Sequence, residues 1–244
     1  MDDKNDLAFF KAYEVELQDG GEEKKLEKMQ ELNPELSNDY YGYYLIVSGK
    51  FALCPGAFFE PDKKQTIFSY QHKLHNNEEL HHHYFPTLEA YSIFAMDRAF
   101  FSLYSRKFPG IQPLPLEACV VERLLKEPPQ KSGPFMYLHV EESNITLAAF
   151  REQQLLSINT FQWQEKEDLL YYILFTAKQT GLKPEEDHFY FSGNIAKNDP
   201  VYRWIFQYLN NLFLIQELSW PQKVKEQQEI FHRYFKTFSS LQCV

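Results

Sequence analysis

The sequence predicts an α/β protein of two domains, and three stretches carry that reading. Residues 135–161 hold three short β-branched or aromatic runs, Phe135–Val140, Ile145–Phe150 and Leu155–Phe161, each separated from the next by four polar residues. That spacing suits an antiparallel meander joined by tight hairpins. Helical and strand-like runs alternate after it, which gives β-β-β-α-β-α-β-α for the second half. Ahead of it, Glu127-Pro-Pro-Gln-Lys-Ser-Gly-Pro134 packs three prolines and a glycine into eight residues. Such a run neither continues a helix nor sits inside a sheet, so 128–134 reads as a linker. The expected division is 1–127, linker 128–134, and 135–244.

In chain order, Leu7–Leu17 fits either a strand or a short helix, and Asp19-Gly20-Gly21 is a turn. Glu22–Leu32 is rich in Lys and Glu, with Leu26, Met29 and Leu32 at helical spacing, and reads as a solvated helix ended near Pro34. Tyr43–Ser48 is a strand turned at Gly49-Lys50; Phe51–Cys54 follows it, and a short helix is expected over Ala57–Glu60. Thr66–Tyr70 reads as a strand, and His72 to His83 as a polar loop. Leu88–Ala95 is read as a strand because Asp97 then becomes the N-cap of a helix over Arg98–Phe108, stopped by Pro109-Gly110. Ile111–Leu116 is a Pro-bounded edge strand, and Glu117–Glu127 a helix with Val120, Val121, Leu124 and Leu125 on its buried side.

In the second half, Glu165–Thr180 is a helix capped by Gly181, with Pro184 just beyond. His188–Phe191 is a buried strand. Asp199-Pro200 starts a helix, aspartate as N-cap and proline at the first helical position, with Val201, Trp204, Ile205, Tyr208 and Leu209 as its core stripe. Phe213–Leu218 and Gln222–Phe238 complete the half as strand and helix.

A meander followed by α-β-α-β-α is the order of the ribonuclease H-like fold, and two such units make the actin-like ATPase fold. The first half fits a degenerate copy. With local phrases such as Phe51-Ala-Leu-Cys-Pro and Ser92-Ile-Phe-Ala-Met, the whole chain resembles a bacterial family, domain of unknown function 3822, whose members look like actin-like ATPases. The resemblance implies a nucleotide cleft, which the residues only partly furnish. In active members an Asp-x-Gly turn in each domain's first hairpin lets the backbone approach phosphate and holds Mg²⁺ or a water. Here the second-half hairpin reads Val140-Glu141-Glu142-Ser143-Asn144, with Glu141 as the remaining carboxylate and no glycine. The adenosine-side Gly-Gly pair is Gly193-Asn194, one glycine of two. Glu141, Gly193 and Asn194 are therefore the candidate cofactor-binding residues, although Gly193 also suits a positive-φ turn out of a strand. No catalytic residue, metal site or cofactor is assigned. The eroded motifs point to a pseudoenzyme that acts through protein–protein contacts, with an atypical nucleotide-binding protein as the alternative.

Other chemistry finds less support. His72, His75, His81, His82 and His83 lie near Glu78, Glu79 and Glu89, and imidazole suits zinc or nickel. Three consecutive histidines point in different directions on any regular backbone, so no metal is assigned. A ribonuclease H-like nuclease needs a carboxylate in the middle of its first strand, where this chain has Tyr137 and His139. No G-x-S-x-G, P-loop or G-x-G-x-x-G occurs. The net charge of -9, from 34 acidic and 25 basic residues, disfavours nucleic acid or an anionic membrane as partner. Three scattered cysteines, Cys54, Cys119 and Cys243, read as reduced thiols and a cytoplasmic location, and no run approaches membrane-spanning length.

Overall fold

The computed structural model describes residues 21–38, 40–129, 132–215 and 232–243. The readings of Leu7–Leu17, of residues 19 and 20 of the first turn, and of most of Gln222–Phe238 lie outside the described residues. The chain divides by its internal contacts into two compact units: residues 1–84 with 89–115, and residues 85–88 with 116–244.

The first unit contains α1 (Gly21–Leu32), β1 (Tyr44–Val47), β2 (Phe51–Pro55), α2 (Lys64–Ser69), most of β3 (Glu78–Phe85), β4 (Ala90–Asp97), α3 (Arg98–Lys107) and β5 (Gln112–Pro115). Its described strands form two sheets, a parallel pair β1–β5 and a three-stranded sheet of order β2–β4–β3. The Asp97 carboxylate caps α3 by accepting from the Phe100 N–H at 2.9 Å, as the sequence predicts.

Two expectations fail here. Thr66–Tyr70 is not a strand: Lys64–Ser69 is the short helix α2, fed by a 3-10 turn that starts at Pro61. Phe68, fully buried, anchors it on Ala52, Cys54, Leu80 and Ile93. A run of five residues with one apolar pair does not distinguish the two periods, and the proline start decided for a helix. The histidine loop is likewise a strand over its second half. In β3, Leu80 and Phe85 are buried, and the imidazoles alternate between faces. His81 packs edge-on to Phe101 at 4.5 Å, whereas His82 faces Phe59 at 5.1 Å. Among the described residues no cluster of His, Cys, Asp or Glu is arranged to hold a metal ion.

Besides residues 85–88, the second unit contains α4 (Leu116–Lys126), which lies within the expected first domain 1–127; the expected linker 128–134 falls inside this unit. It continues through β6 (Phe135–Val140), β7 (Asn144–Arg151), β8 (Gln154–Gln162), α5 (Lys166–Thr180), β9 (His188–Gly193), α6 (Pro200–Ile205), β10 (Asn211–Leu214) and α7 (Phe235–Ser239). The five strands form one mixed sheet of order β10–β9–β6–β7–β8. β10, β9 and β6 run parallel, and β6, β7 and β8 form the antiparallel meander.

Local chemistry explains the boundaries. The Asp168 carboxylate accepts from the N–H groups of Gln164 and Glu165 at 3.0 and 3.1 Å, and Gly181 ends α5 in the left-handed region at φ 69°. Asp199 caps α6 by accepting from the Val201 N–H at 2.7 Å, with Pro200 in the first helical position. The helix stops at Ile205, so only Tyr202, Ile205 and, beyond it, Leu209 are buried, and Tyr208 is exposed.

Every residue of β6 is buried, because both sheet faces are covered. One face, with Met136, Leu138, Ile145, Leu147, Phe189 and Phe191, packs on Leu169 and Ile173 of α5 and Ile205 of α6. Each such side chain contributes about 1.5–3 kcal/mol by leaving water. The other face carries Tyr137 and His139 and meets residues of α4 and α7. That second face holds the site.

Candidate functional site

The parallel pairing of β6 with β9 sets Val140 beside Gly193. Glu141 and Asn194 therefore leave the carboxyl ends of two adjacent parallel strands, the place where open α/β sheets bind ligands. The structure thus brings the three residues singled out in the sequence, Glu141, Gly193 and Asn194, to one end of the sheet.

Gly193 has φ +97°, and a Cβ there would lie 2.2 Å from the Val140 carbonyl oxygen and 3.0 Å from that residue's C and N. The next amide, Asn194 N–H, donates to the same oxygen at 2.7 Å. The glycine is demanded by the chain's own neighbouring strand. Asn194 itself is exposed.

Glu141 closes the first hairpin, its N–H donating to the Asn144 carbonyl at 2.9 Å and its carbonyl accepting from the Trp163 indole at 3.1 Å. Its carboxylate is already partnered. The Lys236 ammonium of α7 lies 3.4 Å away and the His139 Nε2 3.6 Å away. The facing imidazole first, and then the Lys236 charge acting against the cost of burial, hold the Glu141 carboxyl down to about 2. Lys236, only 3% exposed, also meets Glu117 of α4 at 3.5 Å, so one buried ammonium sits between two carboxylates.

Behind this group lies a run of polar side chains crossing the sheet. His139 Nδ1 is 2.7 Å from Ser192 Oγ on β9, and Tyr137 Oη is 2.8 Å from the same oxygen. On the other side His139 pairs in register with Thr146, whose hydroxyl is 3.0 Å from that of Thr160 on β8. Burial pushes the His139 imidazole down to about 4, so it is neutral. A neutral ring facing a carboxylate places its proton on Nε2. Nδ1 then accepts from the Ser192 hydroxyl, and that hydroxyl accepts from Tyr137.

Serine, histidine and glutamate in this sequence of contacts have the connectivity of a nucleophile, its base and an orienting acid. Ser192 is fully buried and His139 is 4% exposed. A substrate carbonyl has no access to that hydroxyl, and an imidazole at about 4 is a poor base near neutrality. The arrangement satisfies buried polar groups and ties β6 to β9 through the Ser192 hydroxyl. The two-metal nuclease reading fails as well: Tyr137 and His139, which stand where that chemistry needs carboxylate, are hydrogen-bonded to Ser192.

Lys236 and Glu117 were missed in the sequence. A lysine next to Phe235 in an amphipathic helix looks solvated, and nothing in its neighbours marks it as buried. Ser192 and His139 left a faint trace, as polar residues inside otherwise apolar strands.

Residues 1–212 match the family described as Protein of unknown function (DUF3822). The chain belongs to that family. Among solved structures it is similar to a Bacteroides thetaiotaomicron protein described as having an actin-like ATPase fold and unknown function. That likeness has a TM-score of 0.77 at 18% identity, covering 91% of this chain and 81% of the other. It is also similar to a structure of the PilM–PilN type IV pilus biogenesis complex, with a TM-score of 0.58 at 14% identity over 91% of this chain and 84% of that one. No curated protein matches the chain. At these identities the likeness establishes the fold: this DUF3822 member has the actin-like ATPase fold, built as mixed α/β. Among the described residues no helix is long and apolar enough to cross a membrane.

Proposed function

We propose that this protein is a non-catalytic member of the actin-like ATPase fold that works by binding another protein. The observation that carries the reading is the state of Glu141. At the strand end where an actin-like ATPase would direct a carboxylate at Mg²⁺, this carboxylate is paired with Lys236 at 3.4 Å and turned toward His139. Its hairpin has no glycine to admit a phosphate, and the one remaining glycine, Gly193, is filled by the Val140 carbonyl rather than held open. PilM, which shares the fold, is described in a complex with PilN, a precedent for partner binding on this scaffold. Three free thiols support a cytoplasmic location.

The test is thermal unfolding with millimolar Mg²⁺-ATP, against Mg²⁺-ADP and Mg²⁺ alone. A ligand at about 100 times its Kd stabilises by about 2.7 kcal/mol, so binding is read directly as a raised midpoint. The expected outcome is no nucleotide-specific shift. A shift that Glu141→Gln abolishes would overturn the proposal in favour of the second reading, a nucleotide site around Glu141 and Gly193.

A further inference from the structure

We infer that Cys119 and Cys243 form a reversible redox pair that fastens the carboxyl-terminal segment to α4. The two lie far apart in sequence, yet the fold puts them in contact. Cys119 sits on α4 and is fully buried, amid Ala118, Val120 and Val121. Beyond α7, a 3-10 turn over Ser240–Gln242 packs on α4 and delivers Cys243, so that the two thiols share a hydrogen bond. Cys243 is only partly buried, whereas Cys119 is buried, so Cys243 is the more accessible residue of the pair. Cys54, the third thiol, lies in the first unit and directs its sulfur at the Pro55 carbonyl at 3.6 Å.

An accessible thiol resting on a buried one is the arrangement of an attacking and a resolving cysteine. The charges around the pair agree with that division. Cys119 donates its proton toward the Cys243 sulfur, and Lys126 and Arg123 add positive charge there. Together these draw the Cys243 thiol down against the cost of burial, while the same hydrogen bond, burial and neighbouring acids push Cys119 well up. Glu122, an opposing charge, is engaged: it pairs with Lys126 at 3.3 Å and accepts from the Thr87 and Leu88 N–H groups, each at 3.0 Å.

With hydrogen peroxide as oxidant, the Cys243 thiolate attacks the peroxide oxygen. An S–O bond forms, the O–O bond breaks, and the departing oxygen leaves as water after taking a proton. The Cys119 sulfur then attacks the sulfenic sulfur; the S–S bond forms, the S–O bond breaks, and a second water leaves with the Cys119 proton. Two thiols are oxidised by two electrons and one peroxide is reduced to two waters. A dithiol reductant reverses the bond.

The experiment treats the reduced full chain with stoichiometric hydrogen peroxide and follows thiol titre, intact mass and peptide mapping. Expected is a fall from three titratable thiols to one, a mass loss of two hydrogens and a Cys119–Cys243 cross-linked peptide, all reversed by dithiothreitol. The oxidised chain should unfold at a higher temperature than the reduced chain. Cys119→Ser risks misfolding at a fully buried position, so Cys243→Ser is the decisive variant: it should retain two thiols and form no intramolecular bond, whereas Cys54→Ser should still cross-link. The inference is overturned if three thiols survive, if Cys243 accumulates as sulfinic acid beside a free Cys119, or if the bond joins two chains. A Cys243→Ser chain that still loses two thiols would overturn it equally.

Discussion

Gly193→Ala separates a glycine kept for a ligand from one kept for packing. A Cβ at this position would stand 2.2 Å from the Val140 carbonyl oxygen, where real Cβ atoms essentially never approach within 3.0 Å. The oxygen cannot retreat cheaply. Val140 is paired to Ile145 on one side and Gly193 on the other, and it accepts the Asn194 N–H at 2.7 Å. Relief therefore requires β9 to pull away from β6 at the centre of the sheet. Holding alanine at φ +97° costs about 1–3 kcal/mol. Forced separation of packed strands adds about 1–3 kcal/mol, and losing the Asn194 hydrogen bond about 1 kcal/mol. Together these place the substitution at about 3–7 kcal/mol, in the large-effect class. For a chain of this length each kcal/mol moves the midpoint by about 2–4 °C, so a drop of at least about 6 °C is expected in a thermal melt followed by circular dichroism. Asn194→Ala, at the neighbouring exposed position, is the control and should stay within about 0.5 kcal/mol of wild type. A Gly193→Ala chain within about 1 kcal/mol of wild type would refute the packing argument and return this glycine to the ligand reading.

Two further outcomes follow from the same face of the sheet. Lys236→Met leaves the buried Glu117 and the half-exposed Glu141 without their shared cation, which should cost about 3–5 kcal/mol in urea unfolding at pH 7; adding Glu117→Gln should restore most of it. Acid should weaken the fold in two steps. His139, faced by Ser192, Tyr137, Glu141, Lys236 and, at longer range, His232, is held at about 4 in the fold against 6.5 in the unfolded chain, so the unfolded state takes the proton first as pH falls. The stability present above pH 6.5 should decline toward pH 4, by up to about 3 kcal/mol at 1.36 kcal/mol per pH unit, and His139→Gln should flatten that segment of a urea-midpoint profile. Glu141, lowered from 4.5 to about 2, adds a second loss below pH 4.5 as its partnership with His139 and Lys236 is protonated away.

The second unit was legible wherever period and punctuation agreed. The meander β6–β8 announced itself through three apolar runs and two polar turns, α5 through its broad apolar face and Gly181, and α6 through Asp199-Pro200. Legibility failed where a local pattern admits two answers or where the deciding partner is remote. Thr66–Tyr70 is too short to show a period. Glu78–Phe85 looks like a loop because its histidines are polar, yet imidazoles pack well against Phe101 and Phe59 in an edge strand. The site itself split in two. That Glu141 and Gly193 stand at one end of the sheet follows from element order. The fate of Glu141 does not, because it depends on a lysine 95 residues away that no local pattern marks as buried.

The assignment of residues 85–88 to the second unit has a topological consequence. The chain passes between units after residues 84, 88 and 115, so three covalent strands join them. The tip of the β3–β4 hairpin is held by the Glu122 carboxylate, which takes both the Thr87 and Leu88 amides at 3.0 Å. One protease nick cannot release either half. A fragment starting at Phe135 would lose α4 and with it Glu117, leaving Lys236 over an uncovered sheet face. Neither unit is one continuous stretch of chain, so neither can be excised as a single piece.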